Sequence, residues 1–105
     1  MLRNAPHRIE ILRSQVLDVV DGQDVMSWSV FARVPGRFSF LDAEEASAWP
    51  GQVIEASARV PSWLHVTQRD RVQVADAPVE FAGQWIVETV RPGPGHTRLM
   101  LKRAA

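Results

Sequence analysis

The sequence predicts an all-β fold: a small six-stranded β-barrel or sandwich with one long strand-connecting loop at about residues 41–51. Six short segments alternate apolar and polar residues, which is the pattern of a strand buried on one face. Turn residues separate these segments, and no stretch keeps a helical period for more than a few residues. Many short strands punctuated by turns are typical of small barrels and sandwiches.

The first half of the chain contains two predicted strands. The first, at residues 7–13, alternates isoleucine with charged residues and is followed by the turn signal Asp21-Gly22. The second is a long alternation over residues 26–40, with apolar residues at the even positions. Because the same parity continues past Pro35-Gly36, we predict one long strand that is bent there by a β-bulge.

Residues 41–51 are the one long interior stretch without strand periodicity. Asp42 and Glu45 have the spacing of a helix-capping pair, and Pro50-Gly51 would end one or two helical turns. So short a helix is marginal without packing, and its alanines bury little area. We therefore expect a mobile or extended loop.

The second half contains four further predicted strands, at residues 54–60, 71–74, 84–91 and 97–103. The last two are rich in β-branched, aromatic and aliphatic residues and are joined by Pro92-Gly93-Pro94-Gly95-His96. Such a pair predicts a β-hairpin with a longer loop. We expect the rest of the chain to pack against it.

Length and composition suit a single β-barrel domain spanning residues 1–105, with an N-terminal arm at residues 1–6. The chain has 105 residues and 46% apolar content, enough for a modest hydrophobic core. The residues predicted to face the interior are Ile9, Ile11, Trp28, Val30, Val34, Ile54, Ala56, Ala58, Val72, Val74, Trp85, Val87, Leu99 and Leu101.

The overall charge and residue content exclude several classes of function. Basic and acidic side chains number twelve each, so no net charge attracts the chain to nucleic acid or to an acidic membrane. The absence of cysteine removes disulfides, thiolate metal sites and thiol catalysis. No apolar run approaches the ~20 residues of a membrane span or has the form of a signal peptide, so we expect no membrane partner.

No motif in the sequence predicts catalysis. His7, His65 and His96 lack the short spacings that place two metal ligands on one face. The chain has neither a phosphate-binding glycine loop followed by a helix nor a nucleophile elbow. We therefore expect no enzyme activity, no metal and no cofactor.

Aromatic side chains outside the core pattern mark candidate contact surfaces. Phe31 lies on the wetted side of the long strand, and Trp49 and Trp63 lie in irregular segments beside prolines. Exposed aromatics are costly in a monomer and useful at an interface, where arginine is also enriched. The candidate subunit or partner contacts are Phe31, Arg33, Arg37, Arg59, Trp63 and Arg69.

A single-strand nucleic-acid-binding barrel is one alternative. Such barrels use aromatic platforms bordered by cations. Trp28, Phe38 and Phe40 share the parity of Val30 and Val34, however, so core packing explains these aromatics better than base stacking.

The order of several landmarks along nearly the whole chain resembles the bacteriophage head–tail joining family, the stopper or head-closure proteins of long-tailed phages. The landmarks are His7-Arg8-Ile9-Glu10-Ile11, Asp21-Gly22, Trp28, Ala32-Arg33-Val34, Ala58-Arg59-Val60-Pro61, Val66-Thr67-x-x-Asp70-Arg71-Val72, Gly83-x-Trp85-x-Val87-x-x-Val90 and Leu99-x-Leu101-x-Arg103.

The resemblance implies a structural virion protein of the phage neck, present in the host cytoplasm during assembly. It implies that copies of the chain form a ring that joins the portal or adaptor to the tail and retains packaged DNA, which passes through the channel without sequence-specific binding. A tail-completion or other neck protein of the same virion is a second reading of the same resemblance.

The resemblance also implies that the segment after the second strand faces the channel, which here corresponds to residues 41–51. The candidate lumen residues are Asp42, Glu44, Glu45 and Trp49. Repeated around a ring, the three carboxylates would form a negative band that repels DNA phosphates and favours sliding over sticking.

Overall fold

Six antiparallel strands close into a barrel, one of the two architectures that the sequence predicts, and their order around it is β1-β2-β3-β6-β5-β4. The computed structural model describes residues 5–48, 51, 53–75 and 78–104, with side chains described for all of these except 16–20 and 24–26. The strands are β1 (His7–Val20), β2 (Gln23–Phe40), β3 (Ala56–Pro61), β4 (Arg71–Ala75), β5 (Trp85–Gly93) and β6 (His96–Arg103). A short α-helix, α1 (Ala43–Ser47), follows β2, and a 3-10 turn (Val79–Phe81) precedes β5.

The long strand β2 changes partner at Gly36. It pairs with β1 up to Gly36 and with β3 from Arg37 onward. At about 3.3 Å per residue an extended strand of 18 residues would span about 60 Å. The molecule is only 45 Å in its longest dimension, so β2 must curve around the barrel.

A bulge in β2 lies at Phe31, so the predicted position at Pro35-Gly36 was wrong. The β1–β2 register runs without interruption through Pro35 and Gly36, and it shifts where Ile11 and Leu12 face Ala32 and Val30. Glycine has no Cβ, so β2 can pass close to its neighbours at Gly36, where its pairing changes from β1 to β3. A Cβ on Gly36 would lie 2.5 Å from the carbonyl oxygen of Arg59 and 2.6 Å from Cγ1 of Ile9.

Strand β1 extends well beyond the predicted residues 7–13, and with β2 it forms a two-stranded ribbon that we call the hairpin arm (residues 13–29). Strand β4 pairs with β1 only between Arg8 and Leu12, and β3 pairs with β2 only from Arg37 onward. The arm ends at the predicted turn, where Asp21 and Gly22 have φ values of 51° and 79°. Two consecutive positive φ values fit a type I′ hairpin turn.

The core contains twelve of the fourteen residues predicted to face the interior. Trp28 and Val30 are the exceptions and are half-buried. Both precede the bulge at Phe31, which resets the parity of the strand, and Trp28 lies in the two-stranded arm. Its ring packs instead against the guanidinium of Arg71, at 4.3 Å.

An aromatic cluster fills one end of the barrel. The ring of Phe38 lies 5.0 Å from that of Trp85 and 4.6 Å from that of Phe81, measured between centroids. Trp85 is fully buried, and its Nε1 donates a hydrogen bond of 3.1 Å to the carbonyl oxygen of Phe81. The indole N–H is therefore satisfied inside an otherwise apolar core.

The segment after β2 contains a helix anchored to the barrel wall, not the extended loop that we expected. Asp42 is the N-cap of α1 and accepts a hydrogen bond of 2.8 Å from the backbone N–H of Glu45. The side chain of Glu45 forms an ion pair of 3.1 Å with Arg98 on β6. Capping and this tertiary contact stabilise a helix that would be marginal alone.

We predict that Gly36→Ala lowers the free energy of unfolding by about 3 kcal/mol, because one of the two close contacts is with backbone that cannot rotate away. Denaturant unfolding followed by tryptophan fluorescence measures this. Gly93→Ala is the matched control, because its added Cβ would meet nothing nearer than the His96 carbonyl oxygen at 3.4 Å. Equal losses in the two variants would show that Gly36 is not needed for the bend.

Candidate interaction surface

The interior of the barrel is filled by large apolar side chains, which leaves its outer wall as the surface available for interactions. Trp85, Phe38, Ile9, Ile11 and Leu99 are among the fully buried residues. Small barrels of this strand number are packed cores and not ligand containers.

Four arginines form a cross-strand row on the outer wall. Arg37 on β2 lies directly opposite Arg59 on β3, Arg59 lies opposite Arg98 on β6, and Arg98 lies opposite Arg91 on β5. We call these residues the arginine row. Their neighbours along three of the strands are buried in the core, which places the arginines on the outside: Phe38, Ala58 and Leu99.

The arginine row concentrates positive charge on one part of the wall. Adjacent strands lie about 4.8 Å apart, so four cations fall within about 14 Å. Like charges directly opposite each other on a sheet are destabilising. The carboxylate of Glu45 forms an ion pair with Arg98, whose Nε atom is buried without a hydrogen-bond partner. Arg37 and Arg59, which lie opposite each other in the row, are both exposed.

An open groove of about 330 Å³ runs along this row. Its lining is almost entirely polar and consists of Arg37, Ser39, Glu45, Ser57, Arg59 and Arg98. Guanidinium and hydroxyl donors arranged in this way suit carboxylates or phosphates, which accept charge-assisted hydrogen bonds.

The candidate lumen residues are partly engaged within the chain. Asp42 caps α1, Glu45 pairs with Arg98, and Glu44 is exposed on the helix. Trp49 lies outside the described residues. Two of the three carboxylates of the predicted negative band thus already have local partners.

The exposed aromatics predicted as contacts lie on separate elements. Phe31 is 49% exposed at the bulge in β2, with the guanidinium of Arg13 3.7 Å from its ring centroid. Trp63 is 67% exposed in the turn that follows β3. Arg69 is exposed in the connection before β4.

Arg33, another predicted contact, belongs to a polar cluster on the part of the outer wall formed by β2, β1 and β4. Glu10 accepts a hydrogen bond of 2.6 Å from Nε of Arg33 and one of 2.8 Å from Nε2 of Gln73. Register places these residues side by side on β2, β1 and β4. The hydrogen bond from Gln73 and then that from Arg33 hold the pKa of Glu10 below its usual value.

A second buried carboxylate holds the base of the arm. Asp70 is 2% exposed and accepts hydrogen bonds from Nε of Arg13 at 3.1 Å and from the backbone N–H of Thr67 at 3.0 Å. The same side chain thus closes the turn before β4 and fixes Arg13 on β1. Its role is structural.

Sequence reasoning named Arg37 and Arg59 but missed Arg98 and Arg91 as their partners. Arg98 was visible only as a polar residue beside the apolar Met100. The row becomes apparent only when the strand order β2-β3-β6-β5 and its register are known.

No protein-family model matches the chain, and a search of curated proteins finds no relative. Within the described residues, no helix is long and apolar enough to cross a membrane. In the same part of the chain, no three histidine, aspartate or glutamate side chains are grouped so that they could hold a metal ion.

We predict that Glu10→Gln lowers the free energy of unfolding at neutral pH. The difference from the wild-type protein should shrink as the pH falls. Since the folded-state pKa of Glu10 is lowered, its charge stabilises the fold above the unfolded pKa of about 4.3, and this contribution is lost on acidification through the folded pKa. Urea unfolding of both proteins between about pH 7 and pH 3 measures this difference in the free energy of unfolding. Glu44→Gln controls for loss of one exposed carboxylate, and a difference that stays constant with pH would contradict the prediction.

We predict that Arg59→Thr stabilises the fold by about 0.5 kcal/mol at low salt, because Arg59 has a like charge opposite it on both sides. The gain should shrink as added salt screens the repulsion. Thermal unfolding at two ionic strengths measures it. Arg69→Thr, which removes an exposed cation outside the row, should show no such gain; a salt-independent loss in Arg59→Thr would refute repulsion within the row.

Proposed function

We propose that this protein is a structural subunit of a long-tailed phage connector, a stopper or head-closure protein that joins the portal or adaptor to the tail and retains packaged DNA. The observation that carries the proposal is a closed, filled barrel that exposes the aromatic side chains of Phe31 and Trp63 and a row of arginines on its outside. Such a molecule offers surfaces to neighbouring proteins. The landmarks that resemble the head–tail joining family support the same role.

The hairpin arm supports an assembled role. Beyond the strand pairs of the barrel, the described backbone gives it no third strand. An isolated two-stranded ribbon is marginal in water. The sequence of its distal part is nonetheless rich in apolar residues, with valine at positions 16, 19, 20 and 25. Residues of this kind in an unsupported ribbon favour burial against a neighbour.

The anchored segment around α1 supports a role beside a channel. Its attachment through Glu45 and Arg98 holds a short acidic helix against the barrel wall. In a ring, the exposed Glu44 of every copy would recur around the axis. Fixed negative charge near passing DNA opposes adhesion of the phosphate backbone.

The arginine row also suits the alternative of single-strand nucleic-acid binding. Proteins of that class interleave aromatic side chains with the cations so that bases can stack. Among the described residues, the groove beside the row is lined by serine, arginine and glutamate and by no aromatic side chain. Neither Phe31 nor Trp63 lines this groove, so the connector role is favoured.

The proposal is tested with DNA-filled heads that lack this protein, prepared from the phage whose genome encodes the chain. Added wild-type protein should make the packaged DNA resistant to loss and allow purified tails to join. A variant with residues 41–51 replaced by a short Gly/Ser turn should keep the barrel, checked by circular dichroism, yet let heads leak DNA.

Three results would contradict the proposal. Binding to tails but not to heads would indicate a tail-completion protein instead. Binding to neither particle, together with tight, salt-sensitive binding to short single-stranded DNA, would indicate the nucleic-acid alternative. Heads that stay sealed with the shortened variant would refute the role of the α1 segment.

A further inference from the structure

The turn of the hairpin arm carries the charge opposite to that of the arginine row. Asp18, Asp21 and Asp24 surround the turn, and the sequence contains no lysine or arginine between Arg13 and Arg33. Register places Asp18 and Asp24 in the last pairs before the turn, and Asp21 is exposed at its apex. We call these three residues the acidic turn.

The acidic turn is remote from the arginine row of its own chain. Gly22 and Arg37 stand near opposite ends of β2, separated by 15 residues (37 − 22). Gly22 lies at the end of the arm, whereas Arg37 lies where β2 pairs with β3 in the barrel. Since the arm pairs only with itself, its turn is free to meet a different molecule.

We infer that the arginine row of one copy binds the acidic turn of the hairpin arm of a second copy. The contact joins two different surfaces, so it is heterologous and can propagate from copy to copy until a ring closes. This inference deepens the proposed connector function by naming the contact between subunits. Its test does not require phage particles.

The groove along the arginine row shows which chemistry it accepts. The carboxylate of Glu45 already lies 3.1 Å from Nη2 of Arg98. Arg37 and Arg59 are exposed beside it, and Nε of Arg98 is buried without a partner. A row that holds one carboxylate from its own chain has donors for more.

The neighbourhood of the row favours a compact acidic turn over a nucleic-acid strand. α1 places Glu44 and Glu45 next to the groove, with Asp42 at its N-cap. A long phosphate backbone crossing the row would pass these carboxylates and be repelled. A two-residue turn is short enough to enter the groove without crossing the helix.

Charge reversal tests the contact. R37E/R59E reverses two exposed members of the row, and D18K/D24K reverses two members of the acidic turn. Asp21 is kept in both variants because its φ of 51° is tolerated by aspartate and strained in lysine. Sedimentation velocity over a concentration series, at low and high salt, measures self-association. Circular dichroism confirms that each variant is folded.

Wild-type protein should self-associate, and added salt should weaken it. Each reversed variant alone should associate at least about 10-fold more weakly, because two like-charged surfaces then face each other. An equimolar mixture of the two variants, and a single chain carrying both reversals, should regain association. Mutual rescue is the result that a merely structural effect of the substitutions would not produce.

Several outcomes would overturn the inference. Wild-type protein that stays monomeric up to about 1 mM would show a contact weaker than about 4 kcal/mol. Association that survives both reversals would place the interface elsewhere. Binding of a fluorescent single-stranded oligonucleotide that is lost in R37E/R59E, without any self-association, would assign the row to nucleic acid.

The two proposals fail separately. If the protein self-associates through the row but does not seal heads, the connector function is refuted and the contact between copies is supported. Heads sealed equally well by wild-type protein and by R37E/R59E would leave the function standing and refute the contact.

Discussion

The close approach of Gly36 to the backbone of β3 is the constraint on which the rest of the structure depends. A strand as long as β2 must curve in a barrel of this size, and the missing side chain at Gly36 lets it pass close to Arg59 and Ile9 as it does so. Beyond the bend, β2 pairs with β3 in place of β1. The same bend therefore closes the barrel and sets Arg37 opposite Arg59, at the start of the arginine row.

Period-two alternation made most of the fold predictable, because a buried face repeats every second residue whatever the neighbouring strand. The pattern located all six strands and most of the core. It failed where an effect was not local. The bulge at Phe31 depends on how β1 and β2 pair. The distal part of β1 has no clear apolar–polar alternation, and it forms a strand because it pairs with β2. The helix α1 depends on Arg98, which lies far away in the sequence.

The candidate site was less predictable than the fold for the same reason. Single arginines on a wetted strand face are common, and nothing in the chain order links Arg37 to Arg91. The strand register places the four arginines opposite one another on neighbouring strands, where they form one row. Exposed aromatics, in contrast, could be named from the sequence because their local surroundings are polar. Phe31 lies on the part of β2 that pairs with β1, whereas Arg37 lies on the part that pairs with β3, and Trp63 lies in the turn after β3.

Charged side chains are paired differently on two parts of the outer wall, and this difference supports an interface. On the β2-β1-β4 side, each buried carboxylate is bound by an arginine: Glu10 by Arg33, with Gln73 as a second donor, and Asp70 by Arg13. On the β2-β3-β6-β5 side, Arg37 and Arg59 lie opposite each other in the arginine row, and the Glu45 carboxylate pairs with Arg98. A chain with twelve acidic residues does not lack the means to neutralise this row. Three of these acidic residues instead lie around the turn of the arm, whereas four of the arginines lie in the row. Folding alone gains nothing from that separation, because like charges on neighbouring strands oppose it. Assembly gains from it, since the region that destabilises one copy becomes complementary to the next.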